Sequence, residues 1–225
     1  MGIFALFTLV TVGVGFGILT RILPHVAPSY KRVQNDLKAL QTEMQTWLKD
    51  ELVPIGREEL ELFSTNQLHQ SIKKRFTLKA RGVFATIYNE AVLAYSFKRY
   101  VATGVNSLLY ARTANHHYAY WLKGKEIQVL IDNKLLGAFR ENGVLYNEKN
   151  RPIARIIYDQ AEVAPVIVYD REVASITKAD VRTGDILSPR AFQFVQPNIT
   201  EEEEKIFLAL ATLELVQRSI PNKGG

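Results

Sequence analysis

The chain has 225 residues, of which 47% are hydrophobic and 23% are charged, which is the balance of a folded protein and excludes wholesale disorder. Its net charge of +5 is compatible with an anionic partner but identifies none. Because the sequence contains no cysteine, disulfides, thiolate metal sites, thiol catalysis and S-palmitoylation are excluded.

Residues 2–20, GIFALFTLVTVGVGFGILT, form an uncharged segment. As a helix rising ~1.5 Å per residue, this segment is ~28 Å long, close to the hydrocarbon thickness of a bilayer. It lacks the basic leading region and the small-x-small cleavage site of a secretory signal peptide. The sequence therefore predicts an uncleaved transmembrane anchor over residues 1–23, with a signal peptide or a buried helix as the alternatives.

The basic residues closest to this segment all follow it: Arg21, Lys31, Arg32 and Lys38. The positive-inside rule then places the N-terminus outside and the bulk of the chain in the cytoplasm. We therefore expect a single-pass membrane protein with a cytoplasmic globular domain.

Gly13 and Gly17 stand four residues apart within the predicted anchor. This spacing lets a second membrane helix approach closely, so the two glycines are candidate helix-packing residues for another membrane protein or a second copy of this chain. The alternative is that glycine is simply frequent in membrane helices. A dinucleotide-binding loop is excluded because the glycines match no G-x-G-x-x-G pattern in a βαβ context.

Residues 24–56 are predicted to form a juxtamembrane linker with an amphipathic stalk helix that starts near Tyr30. Its apolar side chains recur at intervals of three and four residues and form one stripe: Val33, Leu37, Leu40, Met44 and Trp47. The stripe indicates either a helix that lies on its own domain or one that contacts a partner or the membrane surface.

From about residue 59 to 195 the hydrophobic period changes to two, which predicts ten to twelve short strands. Turn signals separate them at Asn89-Glu90, Asp132-Asn133, residues 141–143, residues 149–152 and Asp170-Arg171. Regular short strands at this spacing predict an antiparallel sandwich or barrel in place of a parallel α/β sheet.

The sequence EEEEKIFLALATLELVQRS, residues 201–219, predicts a C-terminal helix. Thr200 and Glu203 fit a capping box, and the run of glutamates suits the positive end of the helix dipole. The apolar part, Ile206 to Val216, is ~16 Å long at ~1.5 Å per residue and cannot span a bilayer. Because it is apolar on all faces, we expect a closed β-wall to surround it.

This order of elements, with the hydrophobic C-terminal helix, resembles the tubby-like fold shared by tubby proteins, LURP-one-related proteins and phospholipid scramblases. The resemblance implies a mainly β, α+β domain over residues 57–220, in which an antiparallel barrel encloses the helix, followed by a flexible tail at 221–225. It also implies binding to phosphoinositides or other anionic phospholipids. A β-sandwich with the helix packed on one side is the alternative. The scramblase-like cysteine run and a calcium loop of the form D-x-[DN]-x-[DN]-G are both missing from the sequence.

Basic residues cluster in the first third of the predicted barrel. The candidate lipid-binding residues are Lys73, Lys74, Arg75, Lys79 and Arg81, with Lys98 and Arg99 on a neighbouring strand. Near a cytoplasmic leaflet, each such charge adds roughly 1 kcal/mol of attraction to anionic lipid. A solvated charged face is the alternative. The cluster lacks the motifs of nucleic-acid-binding modules, so no nucleic-acid partner is predicted.

The adjacent pair His116-His117 is the strongest candidate for metal binding or acid–base chemistry. Neighbouring side chains on a strand point to opposite faces, so both cannot readily hold one ion. The sequence also has no G-x-S-x-G, H-E-x-x-H or Walker pattern. We therefore predict no catalytic residue, metal ligand or cofactor, and expect a membrane-anchored interaction or assembly module. The alternative function is anionic-phospholipid binding or lipid handling of scramblase-like type.

Overall fold

The computed structural model describes residues 29–49, 51–74, 77–100, 106–160, 162–178 and 189–220. In these ranges, helix α1 spans Tyr30–Trp47, a 3₁₀ helix spans Arg57–Leu62 and helix α2 spans Glu201–Ser219. The predicted anchor over 1–23, with Gly13 and Gly17, lies outside the described residues, as do Arg75 and the tail at 221–225. None of the described helices combines the length and the apolarity that crossing a bilayer requires.

The described residues form twelve antiparallel strands, in agreement with the predicted ten to twelve. They are β1 (Phe63–Lys74), β2 (Leu78–Thr86), β3 (Ala91–Arg99), β4 (Asn106–Arg112), β5 (His117–Lys123), β6 (Glu126–Ile131), β7 (Lys134–Arg140), β8 (Val144–Tyr146), β9 (Pro152–Ile156), β10 (Val163–Val168), β11 (Arg171–Thr177) and β12 (Phe192–Val195). Each strand pairs with the next one along the chain, so the twelve make one continuous sheet. A single curled sheet excludes the alternative of a two-sheet sandwich.

The tight turns lie at the predicted positions, because Asn, Asp and Gly adopt the positive φ that such turns require. Asp132 and Asn133 have φ values of 49° and 64°, which matches the two-residue hairpin turn that Asn and Asp favour. Asn89 and Gly143 also adopt positive φ, at 64° and 75°. The β10–β11 turn differs slightly from the prediction: Tyr169 takes the positive φ of 55°, and Arg171 already belongs to β11.

The sheet curls until its two ends meet, which makes a nearly closed barrel. The Thr65 N–H donates to the Pro189 carbonyl at 3.0 Å, and the Ala191 N–H donates to the Phe63 carbonyl at 2.7 Å. These bonds join the start of β1 to the segment that leads into β12, and Ser64 and Arg190 form a bridge between them.

Helix α2 fills the interior of this barrel. Residues 206–213 are all buried, as are Leu215 and Val216, so the helix is covered on every side along its apolar stretch. Phe207 meets the ring of Phe192 at a centroid distance of 4.8 Å, and the Tyr120 hydroxyl donates to the Ala209 carbonyl at 2.7 Å. The prediction that a β-wall encloses the C-terminal helix is confirmed.

The predicted capping box starts α2. The Glu203 N–H donates to the Thr200 hydroxyl at 3.2 Å, and the Thr200 N–H donates to the Glu203 carboxylate at 2.8 Å. Arg171 holds the same carboxylate through two bonds, at 3.1 and 2.6 Å. The cap and Arg171 therefore attach the N-terminus of α2 to the β10–β11 turn at one end of the barrel.

Helix α1 lies on the outside of the barrel. Val33, Leu40 and Met44 are buried against outward-facing side chains of β2, β3 and β4, such as Val83 and Leu108. The predicted stripe therefore covers its own domain, which is the first of the two alternatives open for this helix. Ser29 caps the helix by accepting the Arg32 N–H at 3.4 Å.

We expect Phe207→Ala to destabilise the fold by about 3–5 kcal/mol, because it removes a fully buried ring and leaves a cavity inside the barrel. Gln217→Ala, at an exposed position of the same helix, is the matched control and has little effect. Thermal or urea unfolding of the detergent-solubilised chain measures the difference. Equal stability of the two variants would contradict enclosure of α2.

Candidate functional site

The structure brings together part of the predicted basic cluster. Lys73, Lys79 and Lys98 stand directly opposite one another across β1, β2 and β3, and Arg81 lies two residues from Lys79 on the same face. This face is the outer one, because the residues of the intervening rows, such as Ala80 and Phe97, belong to the interior core. Three lysines in one row repel each other, so the row needs compensating negative charge.

Lys74 and Arg99 belong to a different row. Both are aligned with Leu78, whose side chain packs against the interior core, so they face the inner side at the end of their strands. The Arg99 guanidinium lies 5.5 Å from the ring of Phe97, and burial lowers its pKa. The seven candidate residues therefore do not form one surface, and Arg75 lies outside the described ranges.

Helix α1 supplies the compensating charge. Asp36 pairs with Lys98 at 2.8 Å, and Glu43 pairs with Lys79 at 2.9 Å. The first pair is largely covered, with side-chain exposures of 18% and 14%, whereas the second is exposed at 52% and 44%. The covered pair therefore stabilises the docking of α1, and the exposed pair contributes little.

Asp36 is the centre of a small polar network under α1. Its carboxylate also accepts the Tyr100 hydroxyl at 2.5 Å and lies 3.8 Å from Arg32. Burial alone would raise the pKa of Asp36, but the hydrogen bonds from Lys98 and Tyr100 and the charges of Lys98 and Arg32 outweigh it, so this pKa lies below its ordinary value. Burial, followed by the bond to Asp36, raises the pKa of Tyr100.

Trp47 ends the helix beside the basic row. The Arg81 guanidinium lies 5.3 Å from the centre of its ring, and its indole N–H donates to the Ser96 hydroxyl at 3.3 Å. A cation over an indole face is a favourable contact that also holds the guanidinium in place. Trp47 is thus fixed between the helix and the sheet.

Two adjoining hollows open on either side of Trp47 and Arg81. One has a volume of about 210 Å³ and is lined by Glu43, Ser71, Lys73 and Lys79 among others. The other has a volume of about 500 Å³, lies between the end of α1 and the outer face of β1, and includes Lys49 and His69 in its wall. We call these two hollows together the α1–β1 groove. They share Trp47, Ser71 and Arg81.

The chemistry of the α1–β1 groove suits an anionic group. Lys73 and Lys49 are exposed, and Arg81 offers a guanidinium that an indole ring already orients. Guanidinium and ammonium groups beside a hydroxyl are the usual ligands of phosphate and carboxylate. Glu43 lies at one edge and pairs with Lys79, so Lys73 and Arg81 are the groups best placed to meet an anion.

His116 and His117 take different partners. His116 Nδ1 lies 2.8 Å from Asp132, whose other oxygen accepts the His117 N–H at 2.9 Å. The ring of His117 bonds instead to the Tyr110 hydroxyl at 2.7 Å. Burial lowers the pKa of His117, and the charge of Arg112 adds to this effect. Within the described ranges, no three His, Asp or Glu side chains are grouped so that they could hold a metal ion.

Sequence reasoning missed the acidic partners of the basic cluster. Asp36 and Glu43 are seven residues apart, which places them on one side of α1 beside the apolar stripe. Two carboxylates at this spacing on a helix, together with a row of lysines on the strands, are the sequence pattern that could have predicted these ion pairs. No short stretch of the sequence predicts the α1–β1 groove, because the groove forms only where the C-terminal end of α1 meets the sheet.

Comparisons of this chain with protein-family models, with curated proteins and with solved structures find no match. The tubby-like resemblance therefore stays a prediction that rests on element order and on the C-terminal helix. The function must be argued from the site itself.

We expect Asp36→Asn to destabilise the protein by roughly 1–3 kcal/mol near neutral pH, because Lys98 is then left covered without its counter-ion. Glu43→Gln, at the exposed pair, is the control and costs less than about 1 kcal/mol. Thermal unfolding of both variants measures the contrast.

The effect of Asp36 depends on pH in a defined direction. Since its pKa in the folded state is lowered from 3.8, the charged carboxylate stabilises the fold above that value, and this contribution disappears as the pH falls through the lower pKa. The difference between the native protein and Asp36→Asn should therefore shrink below about pH 4. A difference that grows on acidification would contradict the assigned network.

Proposed function

We propose that the protein is a single-span membrane protein whose cytoplasmic β-barrel is a non-enzymatic interaction module. The observation that carries this proposal is the filled interior. Because α2 occupies the inside of the barrel, a partner is left with the outer wall and with the hollow of about 360 Å³ at the seam beside the end of α2. The uncharged segment at residues 2–20 supports a membrane anchor, and the basic residues after it support a cytoplasmic barrel.

The position of α1 supports a short link between the anchor and the barrel. Its apolar stripe is covered by β2–β4, and the Asp36–Lys98 pair holds it from the side. Only residues 24–28 separate the predicted anchor from the Ser29 cap. The barrel is therefore held close to the bilayer in a restricted range of orientations, which suits the assembly of membrane partners.

The chain offers a direct test of the anchor and its orientation because it contains no cysteine. We expect Gly2→Cys to react with a membrane-impermeant maleimide in intact cells, and Glu148→Cys, at an exposed turn of the barrel, to react only after permeabilisation. Extraction with alkaline carbonate should leave the chain in the membrane. Release of the chain, or labelling of Glu148→Cys in intact cells, would refute this topology.

A second function, recognition of anionic phospholipid head groups, is favoured by the α1–β1 groove. Lys73, Arg81 and Ser71 line it beside the ring of Trp47, a combination that suits a phosphate group near an apolar chain. Two exposed basic groups at an anionic surface contribute about 2 kcal/mol in total.

Vesicle co-sedimentation of residues 29–225 tests this second function. The fragment starts at Ser29 because α1 packs on the barrel and forms one wall of the α1–β1 groove. We expect Lys73→Glu combined with Arg81→Glu to weaken binding to phosphatidylserine or phosphoinositide vesicles by at least roughly 30-fold, the equivalent of ~2 kcal/mol.

The matched control changes the same net charge at a distant turn, through Lys149→Glu and Arg151→Glu, both of which are exposed. Equal losses in the two variants would indicate general attraction by net charge and would remove the groove as a specific site. Equal binding of the native fragment to neutral and anionic vesicles would remove the second function altogether.

A further inference from the structure

An apolar surface lies on the outer wall beside the start of α1. Tyr30, the first residue of the helix, is 64% exposed, and its ring lies 6.2 Å from that of Trp121 on β5. Leu135 on β7 is 45% exposed and stands directly opposite Leu130 on β6.

These side chains share the outer face. Leu130 is paired with Ala119, which is two residues from Trp121 on the same strand, and the intervening side chains Tyr120 and Val129 point into the interior core. We call the set Tyr30, Ala119, Trp121, Leu130 and Leu135 the β5–β7 face. Helix α1 covers the wall of β2–β4, and the edge of its covered cluster reaches Ala119 and Trp121, which are half-buried. Tyr30 and Leu135 of the β5–β7 face remain exposed.

Basic side chains border the β5–β7 face. Lys123 is exposed and its ammonium lies 5.5 Å from the ring of Trp121, while Lys31 is exposed next to Tyr30. The acidic residues on this side are also paired: Asp132 of the β6–β7 turn is engaged by His116, and Glu126, directly opposite Lys123, is engaged by Arg140. Aromatic rings with lysines around them are the composition found at the head-group level of membranes, where the ring is half buried in lipid and the ammonium reaches the phosphates.

The length of the chain places this face next to the bilayer. Residues 24–28 lie between the end of the predicted anchor at Leu23 and the Ser29 cap, so the six steps from Leu23 to Ser29 reach at most ~22 Å even when fully extended. Trp47 and the α1–β1 groove lie at the other end of α1, about 26 Å further along the helix at ~1.5 Å per residue. The tether therefore brings the β5–β7 face to the membrane before any part of the groove.

We propose that the β5–β7 face rests on the cytoplasmic membrane surface, with Tyr30 and Leu135 in the head-group layer and Lys31 and Lys123 on anionic lipid. The half-buried Trp121 then lies beside Tyr30 at the edge of this layer. This inference rests on the proposed membrane anchor. It gives the barrel a defined orientation, in which Trp121 lies next to lipid and Trp47 and the α1–β1 groove face the cytoplasm. This orientation agrees with the proposed interaction module and is incompatible with binding of the groove to head groups of the same bilayer.

The chain has two tryptophans, and the fluorescence of each is specific for one end of α1. Trp121 lies beside Tyr30 at the start of the helix, and Trp47 lies at its other end. Trp47→Phe leaves only Trp121, and Trp121→Phe leaves only Trp47. The full chain is reconstituted in nanodiscs that contain phosphatidylserine and lipids brominated on the acyl chain. We expect the fluorescence of Trp121 to be quenched, more by bromine near the carbonyl end than near the chain end, and that of Trp47 to stay unchanged.

A second readout covers the case in which a tryptophan variant does not fold. Leu135→Cys is labelled with an environment-sensitive dye. We expect the dye emission to shift to shorter wavelength in nanodiscs, relative to the same labelled chain held in amphipol without detergent. The same dye on Glu148→Cys should show no shift. Both positions are exposed on the barrel, so the label itself is tolerated equally.

The outcomes separate the orientation from the anchor. A chain that stays in the nanodisc with neither Trp121 quenched nor the Leu135 label shifted overturns the orientation and leaves the anchor intact. Quenching of both tryptophans places α1 flat on the bilayer and also overturns it. A chain that does not associate with the nanodisc at all refutes the proposed anchor, and the orientation with it.

Discussion

The structure depends on the enclosure of one apolar helix by one curled sheet. Helix α2 has no polar face to turn toward water along residues 206–213, so it is stable only when a wall surrounds it. The sheet in turn has an inward row of apolar side chains that needs something to pack against. Each element supplies the surface that the other lacks, so each depends on the other for the burial of its apolar side chains.

This mutual burial determines which surfaces of the protein are left for binding a ligand or a partner. In barrels of similar size the interior is a common place for a ligand, but here Phe207, Ala209 and their neighbours occupy it. The outer wall is then the main surface left for binding, and much of that wall is already covered. Helix α1 covers β2–β4, and its carboxylates neutralise Lys79 and Lys98.

The basic residues of the first strands therefore divide into two groups. Lys98 belongs to the covered network around Asp36 and serves the docking of α1. Lys73 and Arg81 line the α1–β1 groove. The basic cluster, which is continuous in the sequence, is thus divided by the helix into residues that pair with its carboxylates and residues that line the groove. The distance between the ends of α1 also separates the groove from the β5–β7 face.

The sequence by itself determined the local features: the capping box of Thr200 and Glu203, the positive-φ turns at Asn89 and Asp132-Asn133, the count of strands and the need to bury α2. These follow from neighbours within a few residues, where dihedral preferences and hydrophobic periodicity act directly. Only the tertiary structure decided the seam between Thr65 and Pro189, the pairing of Asp36 with Lys98 and the division of the basic cluster. Those contacts join residues 36 or more positions apart, and their geometry is set by how far the whole sheet curls.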